Sequence, residues 1–288
     1  MQNSFYYVYN NVLSAKIERM KRVLIVGASS GIGYETAKKF LQKGYHVINI
    51  SRRECDLDGV ENLLCNVTER EKLDEVLTKI LEYKSLDCFI YSAGFSMAAP
   101  LEYVLEGDYR YLYEVNLFAF IHCARTLIPV LRVAQGTICA ISSMASITSI
   151  PYDLYYCGSK SALNATINAL RYELNPEGIN VIAVLPGGTK TKFTEKRKIY
   201  PPPAVNGYAK ALTIATEQLE KIEQNGQKAE KVANYIYKKC TLTSPMASLY
   251  PSGIFNKLVA LFLRICPQSI SYLITKTLFE TIEELEEV

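Results

Sequence analysis

The chain has 288 residues but only two histidines and no tryptophan. His46 and His122 leave little scope for a zinc site or a histidine-based catalytic triad, so we predict no metal. None of the eight cysteines belongs to a Cys-x-x-Cys pair, and most lie in apolar segments. This pattern favours reduced thiols in a cytoplasmic protein over a disulfide framework. The formal net charge of only +3 gives no indication of a nucleic-acid partner.

Long apolar runs and a secretory leader are missing as well. No segment approaches the roughly 18 apolar residues that cross a bilayer, so we predict no membrane span. The first residues lack the basic start and the apolar stretch of a signal peptide. We interpret residues 1–20 as an N-terminal extension and residues 21–288 as a single domain, which is long enough for one large core.

Short apolar segments alternate with helical patterns over most of the chain. The apolar segments are rich in Val, Ile or Cys, as expected for strands that are buried on both faces of a sheet. This alternation predicts a single Rossmann-like, doubly wound parallel α/β sheet with helices on both faces. Ligands of such sheets bind beyond the carboxyl ends of the strands. The predicted strands are 22–26, 46–51, 86–91, 137–142 and 179–184, and the predicted helices are 31–43, 69–83, 108–133 and 153–175.

A glycine-rich segment follows the first predicted strand directly and opens the first helix. Glycine permits a sharp turn and a close approach of the backbone to a ligand. The free N–H groups and the positive end of the following helix favour a phosphate at that place. The segment therefore predicts a site for the pyrophosphate of a dinucleotide. Its candidate contacts are Gly27, Ser29, Ser30, Gly31, Ile32 and Gly33.

A tyrosine and a lysine four residues apart, Tyr156 and Lys160, are the candidate acid–base pair. This spacing places both side chains on one face of a helix, where the ammonium would lower the tyrosine pKa. A tyrosine tuned in this way can exchange a proton with a carbonyl or alcohol oxygen. The same spacing occurs at two other places, which we interpret as ordinary helix surface or packing: Tyr34 with Lys38, and Tyr235 with Lys239.

Two polar residues earlier in the chain distinguish the Tyr156 pair from the other two. Ser143 directly follows a predicted strand, so its hydroxyl would point into the ligand crevice. Asn116 lies midway along a long predicted helix. Either residue alone is typical of turn chemistry or of a helix surface. Together with Tyr156 and Lys160 they form a candidate catalytic set.

These motifs, in this order and spacing, make residues 21–190 resemble a classical short-chain dehydrogenase/reductase. The family's glycine motif is matched, although Val26 replaces the threonine that usually precedes it. The family's Asn-Asn-Ala-Gly segment appears as Tyr91-Ser92-Ala93-Gly94, which has lost both asparagines. The catalytic residues of the family match Asn116, Ser143, Tyr156 and Lys160, and its Pro-Gly segment matches Pro186, Gly187, Thr189 and Thr191. The resemblance implies that these four residues of the Pro-Gly segment contact the cofactor, as do Ala93, Gly94, Tyr156 and Lys160.

The resemblance implies a role for each member of the catalytic set. Tyr156 would be the general acid in reduction and the base in oxidation, and Ser143 would orient the substrate oxygen. Lys160 would hold the nicotinamide ribose and depress the tyrosine pKa, assisted by the positive charge of oxidised nicotinamide. Asn116 would fix a water that links Lys160 to solvent. The cofactor would carry the hydride.

The end of the second predicted strand favours NADP(H) over NAD(H). An enzyme that uses NAD normally places a carboxylate here for the ribose 2′-hydroxyl, but this chain has Ser51 followed by Arg52 and Arg53. Guanidinium groups suit a 2′-phosphate because they form charge-assisted hydrogen bonds with it. Asn66 and Val67 lie where related proteins contact the adenine, so we expect a similar contact from this pair.

The last third of the chain holds the information about the substrate. We expect residues 192–250 to form a lid over the active site and residues 254–288 to form an apolar helical extension. This ending is similar to that of the branch that holds 17β-hydroxysteroid dehydrogenases and acyl-dihydroxyacetone-phosphate reductases. It favours a large apolar carbonyl or alcohol, although helices that simply pack on the sheet would give the same pattern. Peripheral contact with a membrane is a further interpretation, which the acidic residues 283–287 oppose for anionic lipid.

The leading hypothesis is an NADP(H)-dependent oxidoreductase that interconverts a secondary alcohol and a ketone on a steroid-like or lipid-like substrate. One alternative is a 3-oxoacyl-thioester reductase. An alternative of another class is a non-catalytic NADP-binding sensor or scaffold. In the family that the chain resembles, the helices predicted over 108–133 and 153–175 usually form a two-fold interface, which predicts a homodimer.

Overall fold

Seven parallel strands form one sheet in the order β7-β6-β5-β4-β1-β2-β3 in the computed structural model, which describes residues 19–202 and 208–280. The order reverses between β1 and β4, and a doubly wound sheet binds its ligands where the order reverses. The strands are β1 (Arg22–Val26), β2 (His46–Ser51), β3 (Val60–Leu64), β4 (Cys88–Tyr91), β5 (Thr137–Ile141), β6 (Asn180–Leu185) and β7 (Leu249–Pro251).

Helices cover both faces of this sheet, so the predicted fold class is confirmed. Helices α1 and α7 pack together on one face, and α2, α4 and α5 contribute to the core on the other. The helices are α1 (Gly31–Leu41), α2 (Arg70–Glu82), α3 (Glu106–Tyr113), α4 (Ala119–Ala134), α5 (Leu154–Leu174), α6 (Tyr208–Gln224), α7 (Ala229–Cys240), α8 (Ile254–Ile265) and α9 (Gln268–Glu280).

The strands are apolar throughout because each supplies side chains to two separate cores. Successive strand residues point to opposite faces of a sheet. In β1, Val23 and Ile25 join the core on the side of α1, whereas Leu24 and Val26 join the opposite core. All four side chains are fully buried. The continuous apolar pattern of the sequence is therefore a consequence of the two-sided packing.

The long helix predicted over 108–133 is continuous but has a π-helical turn in its middle, Glu114–Phe118, which joins α3 to α4. Such turns insert one extra residue and often lie at functional sites. Over Glu106–Ala134 the helix is long and apolar enough to cross a membrane, which contradicts the expectation that no segment is. It packs on α2 and on the sheet, as a core helix of the fold does.

The lid expected over 192–250 is too wide, because its second half belongs to the body of the fold. Helix α7 packs against α1, and its residues Val232 and Ile236 are fully buried. Strand β7 pairs with β6 and completes the edge of the sheet. Only the part from residue 192 to the end of α6 remains as a candidate cover. The sequence analysis also missed β3 and β7 as strands.

Some expected segments lie outside the described residues. Of the N-terminal extension expected over residues 1–20, residues 1–18 lie outside the described part of the chain. Residues 203–207, which precede α6, and the acidic residues 283–287 also lie outside the described residues.

Candidate active site

The carboxyl ends of the central strands open into one cavity of about 890 Å³. Three of the four predicted catalytic residues line it, and the fourth, Asn116, lies fully buried behind it. Every predicted cofactor contact also lines it except Gly33, which lies behind the glycine turn. The predicted contacts that line the cavity are Gly27, Ser29, Ser30, Gly31, Ile32, Arg52, Arg53, Asn66, Val67, Ala93, Gly94, Tyr156, Lys160, Pro186, Gly187, Thr189 and Thr191.

The glycine turn is built from close backbone approaches that a side chain would prevent. Gly27 has φ +97°, and a Cβ there would lie 2.8 Å from the backbone nitrogen of Ala93. A Cβ on Gly33 would lie 2.1 Å from the carbonyl oxygen of Gly27. Because no real Cβ tolerates such distances, these two positions require glycine, and Gly33 serves the packing of α1 rather than the cavity surface.

The N-terminus of α1 presents its positive end to the cavity without a competing group. Its N-cap residue, Ser30, makes no side-chain hydrogen bond to the helix, and the first turn carries no acidic residue. The first N–H groups of a helix lack partners within the helix and attract anions. The turn and the helix end together therefore fit the pyrophosphate of a dinucleotide.

Tyr156, Lys160 and Ser143 meet at the centre of the cavity. Ser143 follows β5, and its hydroxyl makes a side-chain hydrogen bond with Tyr156. Tyr156 and Lys160 lie one turn apart in α5, with the lysine Nζ 5.7 Å from the centre of the tyrosine ring. The Lys160 ammonium donates a hydrogen bond to the backbone carbonyl of Ile141, at 2.9 Å.

The expected depression of the Tyr156 pKa by Lys160 is wrong for the protein alone. Burial raises the pKa of Tyr156 above its ordinary value of 10.0, and the nearby acids Asp153 and Glu223 raise it further. Only the hydrogen bond from Ser143 opposes this rise, because it favours the phenolate. Lys160 is itself desolvated: burial lowers its pKa from 10.5 to about 8. In this state the phenol is protonated at neutral pH.

Asn116 holds the cavity wall together through its side-chain amide. Its Oδ1 accepts a hydrogen bond from the backbone N–H of Phe95 at 3.1 Å, and its Nδ2 donates to the Phe95 carbonyl at 3.0 Å. Nδ2 also donates to the Ser159 hydroxyl at 3.1 Å. A Cβ on Gly94 would lie 3.1 Å from Asn116 Oδ1 and 3.5 Å from Lys160 Nζ. Asn116 thereby ties the loop after β4 to helix α5, next to Lys160.

A cluster of cations borders the end of the cavity next to β2. Ser51 ends that strand in place of a carboxylate, and its hydroxyl bonds with the Arg53 carbonyl. Arg52 and Arg53 are exposed and line the cavity. Lys196 lies in the segment after β6, with its Nζ 3.5 Å from Ser30 Oγ. Burial lowers the pKa of Lys196, and the charges of Arg53 and Arg52 lower it further.

The segment after β6 closes the cavity from the other side. The Pro186 carbonyl accepts a hydrogen bond from the Met144 N–H at 2.8 Å. The Thr189 hydroxyl donates to the Gly187 carbonyl at 2.9 Å, and the Thr191 hydroxyl accepts from the Phe193 N–H at 3.2 Å. A Cβ on Gly31 would touch Thr191 at 3.6 Å, so this segment lies directly over the glycine turn.

The charged residues of the cavity that the sequence motifs did not predict include Asp153, Lys196, Arg197 and Glu223. Asp153 precedes Tyr156 by one helical turn, and this spacing was a signal that could have been used. The other three lie after the last recognised motif, in segments whose approach to the cavity depends on tertiary packing. No local pattern singles them out.

The two other Tyr/Lys pairs lie outside this cavity. The Lys239 ammonium lies 5.4 Å from the centre of the Tyr235 ring, which is close to the 5.7 Å of the Tyr156 pair. The geometry of the pair therefore does not identify the site. The position of Tyr156 and Lys160 beside Ser143 and the glycine turn identifies the site.

Comparisons with known proteins agree with this geometry. A family model described as short chain dehydrogenase matches residues 21–199. The chain is 31% identical over 227 residues to a 3-ketodihydrosphingosine reductase of Bacteroides thetaiotaomicron, covering 77% of this chain and 84% of that protein. It is 29% identical over 245 residues to an NADPH-dependent 3-dehydrocapnine reductase of Ornithobacterium rhinotracheale, covering 79% and 87%.

Two further likenesses extend the comparison. An NADPH-dependent 1-acyldihydroxyacetone phosphate reductase of Schizosaccharomyces pombe is 32% identical over 188 residues, which are 62% of this chain and 64% of that protein. A crystal structure of a short-chain dehydrogenase from Streptomyces avermitilis superposes with a TM-score of 0.75 at 26% identity, covering 90% of this chain and 96% of that one. With its family model, its fold and its cavity in agreement, the chain belongs to the short-chain dehydrogenase family, whose members are nicotinamide-dependent oxidoreductases of alcohols and carbonyls.

Proposed function

We propose that this protein interconverts a ketone and a secondary alcohol on a lipid-like or steroid-like molecule, with NADP(H) as the cofactor. The hydrogen-bonded pair of Tyr156 and Ser143, placed in one cavity with the glycine turn and the apolar helices α8 and α9, carries this proposal. The protonated state of Tyr156 supports reduction, because a general acid must hold a proton before it can donate one.

Each residue of the centre has a distinct part in the proposed reduction. Ser143 and Tyr156 donate hydrogen bonds to the carbonyl oxygen, and Tyr156 then releases its proton to that oxygen. A bound nicotinamide nucleotide supplies the hydride to the carbonyl carbon. Ser143 and the Lys160 ammonium stabilise the phenolate that remains on Tyr156. Asn116 positions the Phe95 segment and α5, and the water relay next to it stays a prediction.

The residues of the cavity fit a phosphorylated dinucleotide. The turn from Gly27 to Ile32 and the N-terminus of α1 would hold the pyrophosphate, and Asn66 with Val67 would contact the adenine. The absence of a carboxylate at the end of β2, together with Arg52, Arg53 and Lys196, supports a 2′-phosphate in this place. Two of the curated relatives have NADPH in their names.

The apolar wall of the cavity supports a large substrate. Phe255 and Val259 of α8 line it, as do Leu278 and Phe279 of α9. The names of the relatives describe reductases of lipid-like molecules, which agrees with this wall. We also propose that the part of the chain from residue 192 to the end of α6 acts as the lid, since it spans from the Pro-Gly segment to Glu223 at the cavity.

The direct test measures oxidation of NADPH and of NADH by the purified full chain with a panel of long-chain ketones, steroid ketones and acetoacetyl thioesters. We expect turnover of the lipid or steroid ketones, with a preference for NADPH. Turnover of the thioesters alone would establish the 3-oxoacyl-thioester reductase instead. Binding of NADPH without turnover of any ketone would establish the sensor or scaffold.

We propose that the protein is a homodimer, which apolar side chains on the outer faces of two helices support. Phe118 and Ile121 lie 49% and 38% exposed at the junction with α4, and Leu154 and Tyr172 of α5 are 52% and 85% exposed. Light scattering tests this assembly.

All eight cysteines are free and six are buried, which supports the proposed cytoplasmic location.

A further inference from the structure

Among the described residues, no ion-pair partner reaches the carboxyl group of Asp153, which lines the cavity. Asp153 is 2% exposed, directly precedes α5, and lies one helical turn before Tyr156. Within the described part of the chain, the only side-chain hydrogen bond to its carboxyl comes from the Ser96 hydroxyl, at a long 3.4 Å. Burial raises the pKa of Asp153 to about 8, so the carboxyl is largely protonated at pH 7 unless a cation approaches it.

The arginine that could neutralise Asp153 is already engaged. Arg197 is 9% exposed, and its Nη2 bonds with Glu223 Oε1 at 2.6 Å. Its Nε donates to the Ser96 hydroxyl at 3.1 Å, so Ser96 lies between Arg197 and Asp153. Glu223 adds a second negative charge to this region, and it raises the pKa of Asp153. The charge of Arg197 lowers the pKa of Asp153 and that of Glu223 raises it, so Arg197 offsets only part of the effect of burial.

A buried carboxyl in this position costs stability unless a ligand supplies what it lacks. A metal ion does not fit, because the described residues contain no group of three or more metal-ligating side chains. A second acid–base group beside Tyr156 is not required by the reaction. A protonated amine fits, because it supplies both the positive charge and the hydrogen-bond donors.

We propose that Asp153 binds a protonated amino group carried by the substrate close to the carbonyl that Tyr156 and Ser143 hold. This inference rests on the proposed function and narrows its substrate class to long-chain ketones with an ammonium beside the reacting carbon. Asp153 directly precedes α5 and Tyr156 lies in its first turn, and both line the cavity, which limits the amine to the neighbourhood of that carbonyl.

The test compares three alkyl ketones of equal length on the full chain with NADPH: one with a free amine on the carbon next to the carbonyl, one with that amine acetylated, and one without it. We expect kcat/KM of the free amine to exceed that of the other two by roughly 10- to 100-fold, the range of one charge-assisted hydrogen bond. Equal values for the three ketones would overturn the inference and leave the proposed function intact. No turnover of any ketone would overturn both.

The variant Asp153→Asn removes the charge and keeps the size of the side chain. We expect the ratio of kcat/KM for the amine-bearing ketone to kcat/KM for the amine-free ketone to fall to about 1 in this variant. An unchanged preference in this variant would exclude Asp153 as the amine-binding group. The control Asp58→Asn removes an exposed carboxyl that does not line the cavity, and we expect it to leave the preference intact.

An inhibition measurement on the wild-type protein keeps the test independent of the variant's folding. A long-chain primary alkylamine should inhibit the reduction of the amine-free ketone by the wild-type protein more strongly than an alcohol of equal length does. Equal inhibition by the two compounds would count against an amine site at Asp153, whatever the behaviour of the variants.

Discussion

The two halves of the cavity are built by opposite means. The cofactor half is made of strand ends, the glycine turn and a helix N-terminus, and the β1 residues that support it are fully buried. The substrate half is bordered by α8, which has no buried residue and leaves Ile254 and Phe255 74% and 73% exposed. Exposed apolar area of this extent marks a surface for apolar ligands or partners. The cofactor half is therefore fixed by backbone geometry, and the substrate half by side-chain composition.

The largest effect is expected at the point where the two halves meet. Tyr156→Phe removes the hydroxyl that gives the proton and keeps the ring, so kcat for ketone reduction should fall on the order of 10³-fold. The affinity for NADPH, measured by fluorescence titration, should change little because the cofactor half is untouched. Tyr235→Phe is the matched control, since Tyr235 stands in a similar pair with Lys239 outside the cavity. A variant at Tyr156 that kept its rate would remove this residue from the mechanism.

The second effect concerns the cost of a buried ammonium in the cofactor half. Lys160 has a pKa of about 8 in the folded chain and an ordinary value of 10.5, so the unfolded chain binds more protons between these values. The free-energy cost of burying the Lys160 ammonium is therefore complete below pH 8 and disappears as the pH rises toward 10.5. Lys160→Met should raise the free energy of unfolding by about 3 kcal/mol at pH 7, and by much less near pH 10.

Thermal and urea unfolding of the wild-type protein and of the Lys160→Met variant, at pH 7 and near pH 10, measures this difference in the free energy of unfolding. Lys239→Met is the control, because Lys239 is less buried and its pKa is lowered less. A stability difference that does not depend on pH would mean that Lys160 is not desolvated in the folded chain.

The third effect tests how the cofactor half distinguishes two nucleotides. Replacing Arg52 and Arg53 together by alanine removes two guanidinium groups beside the proposed 2′-phosphate. We expect KM for NADPH to rise roughly 10- to 100-fold while KM for NADH stays nearly constant. Steady-state kinetics with both nucleotides give this comparison, and Arg110→Ala, which removes an exposed guanidinium from α3, is the control. Equal losses for the two nucleotides would contradict the assignment to a 2′-phosphate.

The smallest effect is expected in the substrate half. Phe255 lines the cavity mouth yet is largely exposed, so Phe255→Ser should lower kcat/KM for a long-chain ketone only about 3- to 10-fold. A short-chain ketone that does not reach α8 should be unaffected. Met246→Ser changes a 97% exposed apolar residue outside the cavity and serves as the control. Equal losses for both chain lengths would mean that α8 does not contact the substrate.

The motifs of the cofactor half could be recognised in the sequence because each is short. The glycine turn needs residues that permit close approach over a few positions, and Gly27 and Gly33 meet this need in the structure. The Tyr156–Lys160 spacing also survives in the structure, but its predicted electrostatic effect does not. Burial, which depends on the whole fold, outweighs the attraction of the neighbouring ammonium.

The lid shows where sequence periodicity was insufficient. Helices α6 and α7 both have amphipathic patterns, and the lid expected over 192–250 includes both. The structure separates them, because α7 buries Val232 and Ile236 against the sheet while α6 approaches the cavity. An apolar helix face indicates that something covers it, but not which surface does.

The sequence by itself determined the alternation of strands and helices, the phosphate turn and the identity of the acid–base pair, because these depend on residues close together in the chain. Only the tertiary structure brought Lys196 to Ser30, 166 positions away, and Arg197 to Ser96, 101 positions away. It also buried Asp153 with no ion-pair partner among the residues that the structure describes. Contacts across such separations follow from how the helices pack on the sheet, and the charge balance of the cavity exists only once they have packed.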